Sequence, residues 1–264
     1  FEKAVTLKPD YAEAQYNLGI TLKELGQVDA AIKSYENALA IKHAYPNVHN
    51  NLGNIFLELS QLEAAVDHFE WAVAYDPEFD KAHNNLGSTL LALGKVDAAV
   101  DSYEKALAVN PNYAEAHNNL AIAFSRIGKV DAAVKSFEKA LALKPDYAEA
   151  HNNLGNAFKD LGQLDAAVES YEKAIALNPD YANAHNNLGI TLKDLNQLDD
   201  AVKSYEKALA VNPDYVEAHN NLGNAFKDLG QLDDAVKSYE KALDLKPDYA
   251  YAHNNLGNAF KDLG

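Results

Sequence analysis

The sequence predicts an all-α solenoid of stacked antiparallel helix hairpins, and three observations carry that expectation. The motif Asn-Leu-Gly or a near copy returns eight times at 34-residue intervals, its third residue falling at Gly19, Gly53, Gly87, Ala121, Gly155, Gly189, Gly223 and Gly257. A fixed period of about 20–50 residues marks a stack of small units rather than one globular core. Each period holds two runs of apolar residues at helical spacing. A Gly or a substitute separates the two runs, and a Pro commonly closes the period.

Seven full units fit, at 12–45, 46–79, 80–113, 114–147, 148–181, 182–215 and 216–249. Residues 1–11 read as the end of a truncated repeat, and 250–264 as the first helix of another. The sequence starts without Met and stops inside a repeat, so it reads as part of a longer protein.

Residues 146–179 illustrate one unit. Ala150, Leu154, Ala157, Phe158 and Leu161 trace one face of an amphipathic helix. Asp146, three residues before Glu149, has the spacing of a capping box, which places the helix start there. Gly162 ends the helix, since Gly takes the left-handed C′ conformation without steric penalty. The equivalent stops are Gly26, Gly94, Gly128 and Gly230, with Asn196 and Ser60 as substitutes. A second helix follows through Leu164, Ala167, Val168, Tyr171, Ala174, Ile175 and Leu177, with Asp165 in its first turn and Pro179 at the close. The short Gly-Gln link makes the two helices antiparallel, and small residues at Gly155 and Ala167 allow their close approach.

Composition narrows the function classes. Thirty-nine acids against 23 basic residues give a net charge of −16, the wrong sign for clamping phosphate backbones, so nucleic acid is not an expected partner. No apolar run approaches the roughly 20 residues that span a bilayer, so no membrane insertion is expected. Zero Cys excludes disulfides and thiolate metal sites and leaves the redox compartment open. A soluble, cytoplasmic chain is the expectation.

Leu154, Gly155, Phe158, Ala167, Tyr171, Ala174 and Pro179 lie at the spacings of the tetratricopeptide repeat, and the resemblance extends through all 264 residues. It implies a right-handed superhelix whose first helices line a concave groove, where family members mostly bind peptides or protein surfaces. One departure is the aromatic residue usual four positions before the Gly. Gln15 stands there, then His49, His83, His117, His151, His185, His219 and His253. The unit at 46–79 departs further: His43 replaces the terminal Pro, Pro46 enters the first turn of the next helix, and Trp71 takes a normally charged position. Trp71, the sole Trp, is expected on the outer face of its helix as a candidate secondary contact.

Opposite the apolar stripe of each first helix runs a polar one. Asn precedes the Leu in all eight units, as Asn17, Asn51, Asn85, Asn119, Asn153, Asn187, Asn221 and Asn255. Another Asn precedes it in seven, and Asn54, Asn156, Asn224 and Asn258 extend the same face. Asn costs about 0.6 kcal/mol per helical position relative to Ala, so something offsets the load. A primary amide can hold a peptide bond's N–H and C=O together, which points to a ladder gripping an extended chain by its backbone. Packing between units is the alternative use of the same residues. The array also resembles the repeat regions of O-linked N-acetylglucosamine transferases, which carry an asparagine ladder along the groove.

Seven His in register are expected between helices with a polar edge toward water. They are not expected to form a metal site, because equivalent residues of successive helices lie at least about 8–10 Å apart. Every Ser, His and Asp is replicated by the repeat, whereas catalysis needs one asymmetric arrangement, so no catalytic residues and no cofactor are expected. Lys159, Lys193, Lys227 and Lys261, each followed by Asp, read as solvated neighbours. Phe1, Ala4 and Val5 at one end, and Leu256, Ala259 and Phe260 at the other, would leave apolar faces open to head-to-tail self-association. A scaffold binding an extended peptide or partner segment is therefore the leading expectation. The alternatives are the substrate-recognition arm of a glycosyltransferase whose catalytic domain lies outside these residues, or a structural spacer or self-assembly module.

Overall fold

A computed structural model describes all of residues 1–264 and is entirely α-helical. It divides into two compact units, Phe1–Lys129 and Val130–Gly264. The first contains α1 (Glu2–Leu7), α2 (Ala12–Glu24), α3 (Val28–Ile41), α4 (Pro46–Glu58), α5 (Leu62–Tyr75), α6 (Asp80–Ala92), α7 (Val96–Val109) and α8 (Ala114–Arg126). The second contains α9 (Val130–Leu143), α10 (Ala148–Asp160), α11 (Leu164–Leu177), α12 (Ala182–Asp194), α13 (Leu198–Val211), α14 (Val216–Asp228), α15 (Leu232–Leu245) and α16 (Ala250–Leu263). Within each unit consecutive helices pair as hairpins, α2 with α3, α4 with α5 and α6 with α7 in the first, α10 with α11, α12 with α13 and α14 with α15 in the second. The second helix of one hairpin packs on the first helix of the next, so each hairpin's apolar face is covered by its neighbour.

The expected helix stops fall where the sequence places them. Gly26, Gly94, Gly128, Gly162 and Gly230 have φ of 72–75°, and the substitutes Ser60 and Asn196 take the same left-handed conformation at 60° and 59°. Pro46 opens α4 at a position whose N–H has no intrahelical partner. The start expected at Asp146 is wrong. Tyr147 is the N-cap of α10, with no side-chain capping bond, and the helix begins at Ala148. Pro145 and Asp146 instead fill the middle of a turn closed by Tyr147 N–H to the Lys144 carbonyl at 3.2 Å. Pro presets the φ of the second turn position and Asp suits the third, so local turn chemistry outcompetes the capping box.

The role of the repeated Gly is sharper than an approach of two backbones. In α10 a Cβ on Gly155 would stand 2.6 Å from the Tyr171 ring, and in α12 one on Gly189 would stand 2.7 Å from the Tyr205 ring. The missing side chain makes a seat for the aromatic residue of the second helix, which is fully buried. Ala167, Ala174, Ala201 and Ala208 line the same seam at 0% exposure. Phe1 at the N-cap of α1 and Leu7 within it, and Tyr251 and Phe260 on α16, are exposed.

Candidate functional site

The eight ladder residues, from Asn17 through Asn255, are all half-buried on the first helices. Five of them turn their donors onto an Asn of the preceding repeat. Asn85 Nδ2 donates to Asn50 Oδ1 at 3.1 Å, and Asn119 to Asn84 at 3.1 Å. In the second unit Asn187 donates to Asn152 at 3.1 Å, Asn221 to Asn186 at 3.1 Å, and Asn255 to Asn220 at 2.9 Å. Donor and acceptor stand 35 residues apart, so the bond joins the ladder Asn of one repeat to the buried Asn just before the ladder Asn of the previous one. Asn51 meets Tyr16 where that acceptor would be, and its amide goes to the Tyr35 hydroxyl at 3.2 Å.

The extended face joins the same network. Asn85 also donates to Asn54 Oδ1 at 3.1 Å, and Asn187 to Asn156 Oδ1 at 3.2 Å. Asn156 in turn accepts from the Tyr171 hydroxyl at 2.8 Å, and Asn224 from the Tyr239 hydroxyl at 2.9 Å. Burial pushes the Tyr171 and Tyr239 hydroxyls up, the latter to about 12, so both remain donors at neutral pH. Asn258 on α16 is exposed. Both Nδ2 hydrogens of Asn85 and of Asn187 are thus engaged within the protein. The buried acceptors, Asn50, Asn84, Asn152, Asn186 and Asn220, were signalled in the sequence only by the doubled Asn.

The register histidines bond the chain itself, His83, His117 and His185 from buried positions and His253 from an exposed one. Nε2 of His83, His117, His151, His185, His219 and His253 donates to the carbonyl of the Pro six residues earlier, at 2.8–3.0 Å. Each ring therefore ties its helix to the preceding turn. Nowhere do three or more His, Asp or Glu side chains gather as metal ligands. Lysines one turn beyond the ladder also reach between repeats: Lys193 pairs with Asp228 at 3.0 Å and Lys227 with Asp262 at 3.7 Å. These exposed pairs are worth at most about 1 kcal/mol each.

The repeat at 46–79 is wired differently. With His43 in the place of Pro, His49 bonds the His43 backbone and its Nδ1 meets His68 Nδ1 at 3.1 Å. Phe56 stacks on His68 at 5.2 Å, and Trp71 on His49 at 6.3 Å. Trp71 and Tyr75 stack on each other at 5.7 Å and are 52% and 40% exposed. Burial holds both His below the usual imidazole value, His68 at about 4 with help from the neighbouring His49. Trp71, expected on the outer face of its helix, has an exposed side chain.

No helix is long and apolar enough to cross a membrane. No curated protein sequence matches the chain. A family profile described as the cilia and flagella-associated protein 70 C-terminal domain matches residues 5–212, and two tetratricopeptide repeat profiles match 223–264 and 204–237. Among solved structures, MamA is similar at 32% identity, covering 62% of this chain and 96% of MamA, with a TM-score of 0.58. YrrB, described as a tetratricopeptide repeat protein with an unusual peptide-binding site, is similar at 23% identity, covering 70% of this chain and 96% of YrrB at TM-score 0.58. The Cut9-Hcn1 hetero-tetramer shares the fold at 16% identity and TM-score 0.73, covering 96% of this chain and 47% of that one. The repeated hairpins, the inter-repeat bonds and a profile spanning most of the residues lead to one conclusion: the chain belongs to the tetratricopeptide repeat family, as a protein-interaction scaffold of the group described by the cilia and flagella-associated protein 70 C-terminal domain.

Proposed function

We propose that the first-helix face binds an extended segment of a partner protein, and that the ladder residues hold it by accepting its backbone N–H groups on Oδ1. The carrying observation is the geometry of Asn187: two donated bonds orient the amide, and its carbonyl oxygen is the atom not spent in them. Such an acceptor is preorganised, so binding costs little side-chain entropy. It reads the backbone of the partner and is indifferent to its side chains. This is narrower than the two-handed grip expected from sequence, because the donor hand is spent between repeats. YrrB, similar in fold, carries a peptide-binding site, which is consistent with this use of the architecture.

The test separates the two atoms of one amide. A peptide selected from a displayed library against the whole chain serves as probe. Asn187→Ala with Asn221→Ala removes donor and acceptor together. Asn187→Asp with Asn221→Asp keeps the acceptor, and Asn152 and Asn186 can turn over to restore the bond between repeats. The Ala pair should weaken peptide binding by about tenfold or more, while the Asp pair stays within about threefold. Equal losses in both, tracking a common fall in melting temperature, would leave the ladder with packing alone.

A further inference from the structure

The repeat at 46–79 carries a second surface, built on α5 rather than on the first helix that bears the ladder. Trp71 stands where α7, α9, α11, α13 and α15 carry Lys105, Lys139, Lys173, Lys207 and Lys241. His68 stands where they carry Ser102, Ser136, Ser170, Ser204 and Ser238. The two replacements work together. A Ser at this position folds back on its own helix, as Ser102 does onto the Ala98 carbonyl at 2.9 Å. His68 instead reaches His49, and His49 is the floor on which both outer rings lie, Trp71 at 6.3 Å and Tyr75 at 5.7 Å. The exposed rings are therefore a supported shelf rather than loose side chains.

The charge along the repeat that bears the shelf has one sign. From His43 to Asp80 there is no Lys or Arg, while Glu58, Glu63, Asp67, Glu70, Asp76, Glu78 and Asp80 all fall within the run. Glu58 is neutralised by Lys23 at 2.8 Å, and Asp80 is held by Asn110 at 2.8 Å. Asp67 lies one turn from Trp71 and two from Tyr75 on the same strip of α5, Glu70 adjoins Trp71, and Asp76 and Glu78 lie in the turn just after Tyr75. Of the flanking cations, Lys42 is folded over the Tyr45 ring at 4.5 Å. Every other second helix in the chain that reaches full length contains at least one Lys.

We infer that the Trp71–Tyr75 shelf on α5 docks a basic segment of a partner protein, with an Arg or Lys over the rings and its charge balanced by Asp67, Glu70, Asp76 and Glu78. An aromatic face attracts a cation through its quadrupole, and Arg stacks on it as a plane. The acidic rim supplies complementarity and speeds encounter. An apolar or acidic partner would gain the ring contact but meet the rim unpaired or repelled.

Trp71 is the sole Trp, so its emission reports the site directly. The probes are a synthetic peptide of alternating Arg and Ser and its counterpart with Gln for every Arg, titrated into the whole chain. The Arg peptide should change Trp71 emission in a saturable, salt-sensitive manner, and the Gln peptide should not. Asp67→Lys, which installs the residue type of Lys135, Lys203 and Lys237, should weaken the Arg peptide about tenfold with Trp71 still in place. Trp71→Lys restores the residue of five other helices, so folding is retained, and labelled-peptide anisotropy should show binding lost. The Asn187 and Asn221 variants should leave this binding intact. Equal response to both peptides, wild-type affinity in either Lys variant, or a Trp71 signal that depends on protein concentration without peptide overturns the proposal, the last marking a second copy of the chain as occupant.

Discussion

The hairpin of α12 and α13 and the hairpin of α4 and α5 share one frame and differ in everything attached to it. Both seat a fully buried aromatic residue on a Gly, Tyr205 on Gly189 and Phe69 on Gly53, where a Cβ would stand 2.7 and 2.6 Å from the ring. Both close the seam with Ala at 0% exposure, Ala201 and Ala208 in one, Ala65 and Ala72 in the other. Beyond the seam they part. His185 bonds the Pro179 carbonyl while His49 bonds His68, and Asn187 bonds Asn152 while Asn51 bonds a Tyr hydroxyl. The seam is intolerant because it is close-packed. The periphery can be rewired because each polar group needs only some partner, and the chain offers several.

A shared frame should fail equally in both hairpins. Gly189→Ala and Gly53→Ala should each cost about 1–3 kcal/mol by overpacking the ring, read from denaturant midpoints, and unequal losses would show that the frames differ after all. Gly257→Ala is the control. Nothing lies within 4 Å of a Cβ there, so the better helix former should be neutral or stabilising by up to about 1 kcal/mol.

Acid should separate the two hairpins. His49 and His68 have folded values below the unfolded one of 6.5, so the folded state binds fewer protons than the unfolded state as pH falls. Their hairpin keeps full stability above about pH 6.5 and loses it progressively toward pH 4, where His68 protonates. On the order of 2 kcal/mol is expected after discounting for partial exposure, with Asp67 opposing the loss. Amide exchange should quicken in α4 and α5 over that range, and His68→Ser, which restores the residue of the other second helices, should remove the larger part of the effect and leave that of His49. Smallest of all, Lys193→Ala should cost no more than about 0.5–1 kcal/mol and less in high salt, because the Lys193–Asp228 pair is exposed.

The sequence made most of the frame legible, because period, apolar spacing and left-handed stops are all local signals. Even Ser60, the least favoured of the stops, takes positive φ as the repeat requires. The start of α10 departs from the capping-box expectation because two local motifs overlap at Pro145-Asp146 and the turn prevails. The candidate surface was half legible. That the Asn series occupies one face follows from helical period, but the direction of each amide depends on the register between successive hairpins, which a single unit does not encode. The histidine bonds had a readable cue in the constant spacing from Pro to His, as in Pro179 and His185, whereas nothing in the sequence pairs His49 with His68 across 19 positions.

The bond between ladder and buried Asn has a consequence for growth of the array. Each such repeat presents both halves of a coupling, a donor for the repeat before it and an acceptor for the repeat after it. A duplicated copy of residues 182–215 inserted beside the original would find both couplings complete at once, with no compensating change elsewhere. The same copy inserted ahead of Asn51 would meet Tyr16 and find no acceptor. Lengthening by duplication is therefore open to the regular repeats, and ahead of Asn51 it relies on the Tyr35 hydroxyl that serves Asn51 now.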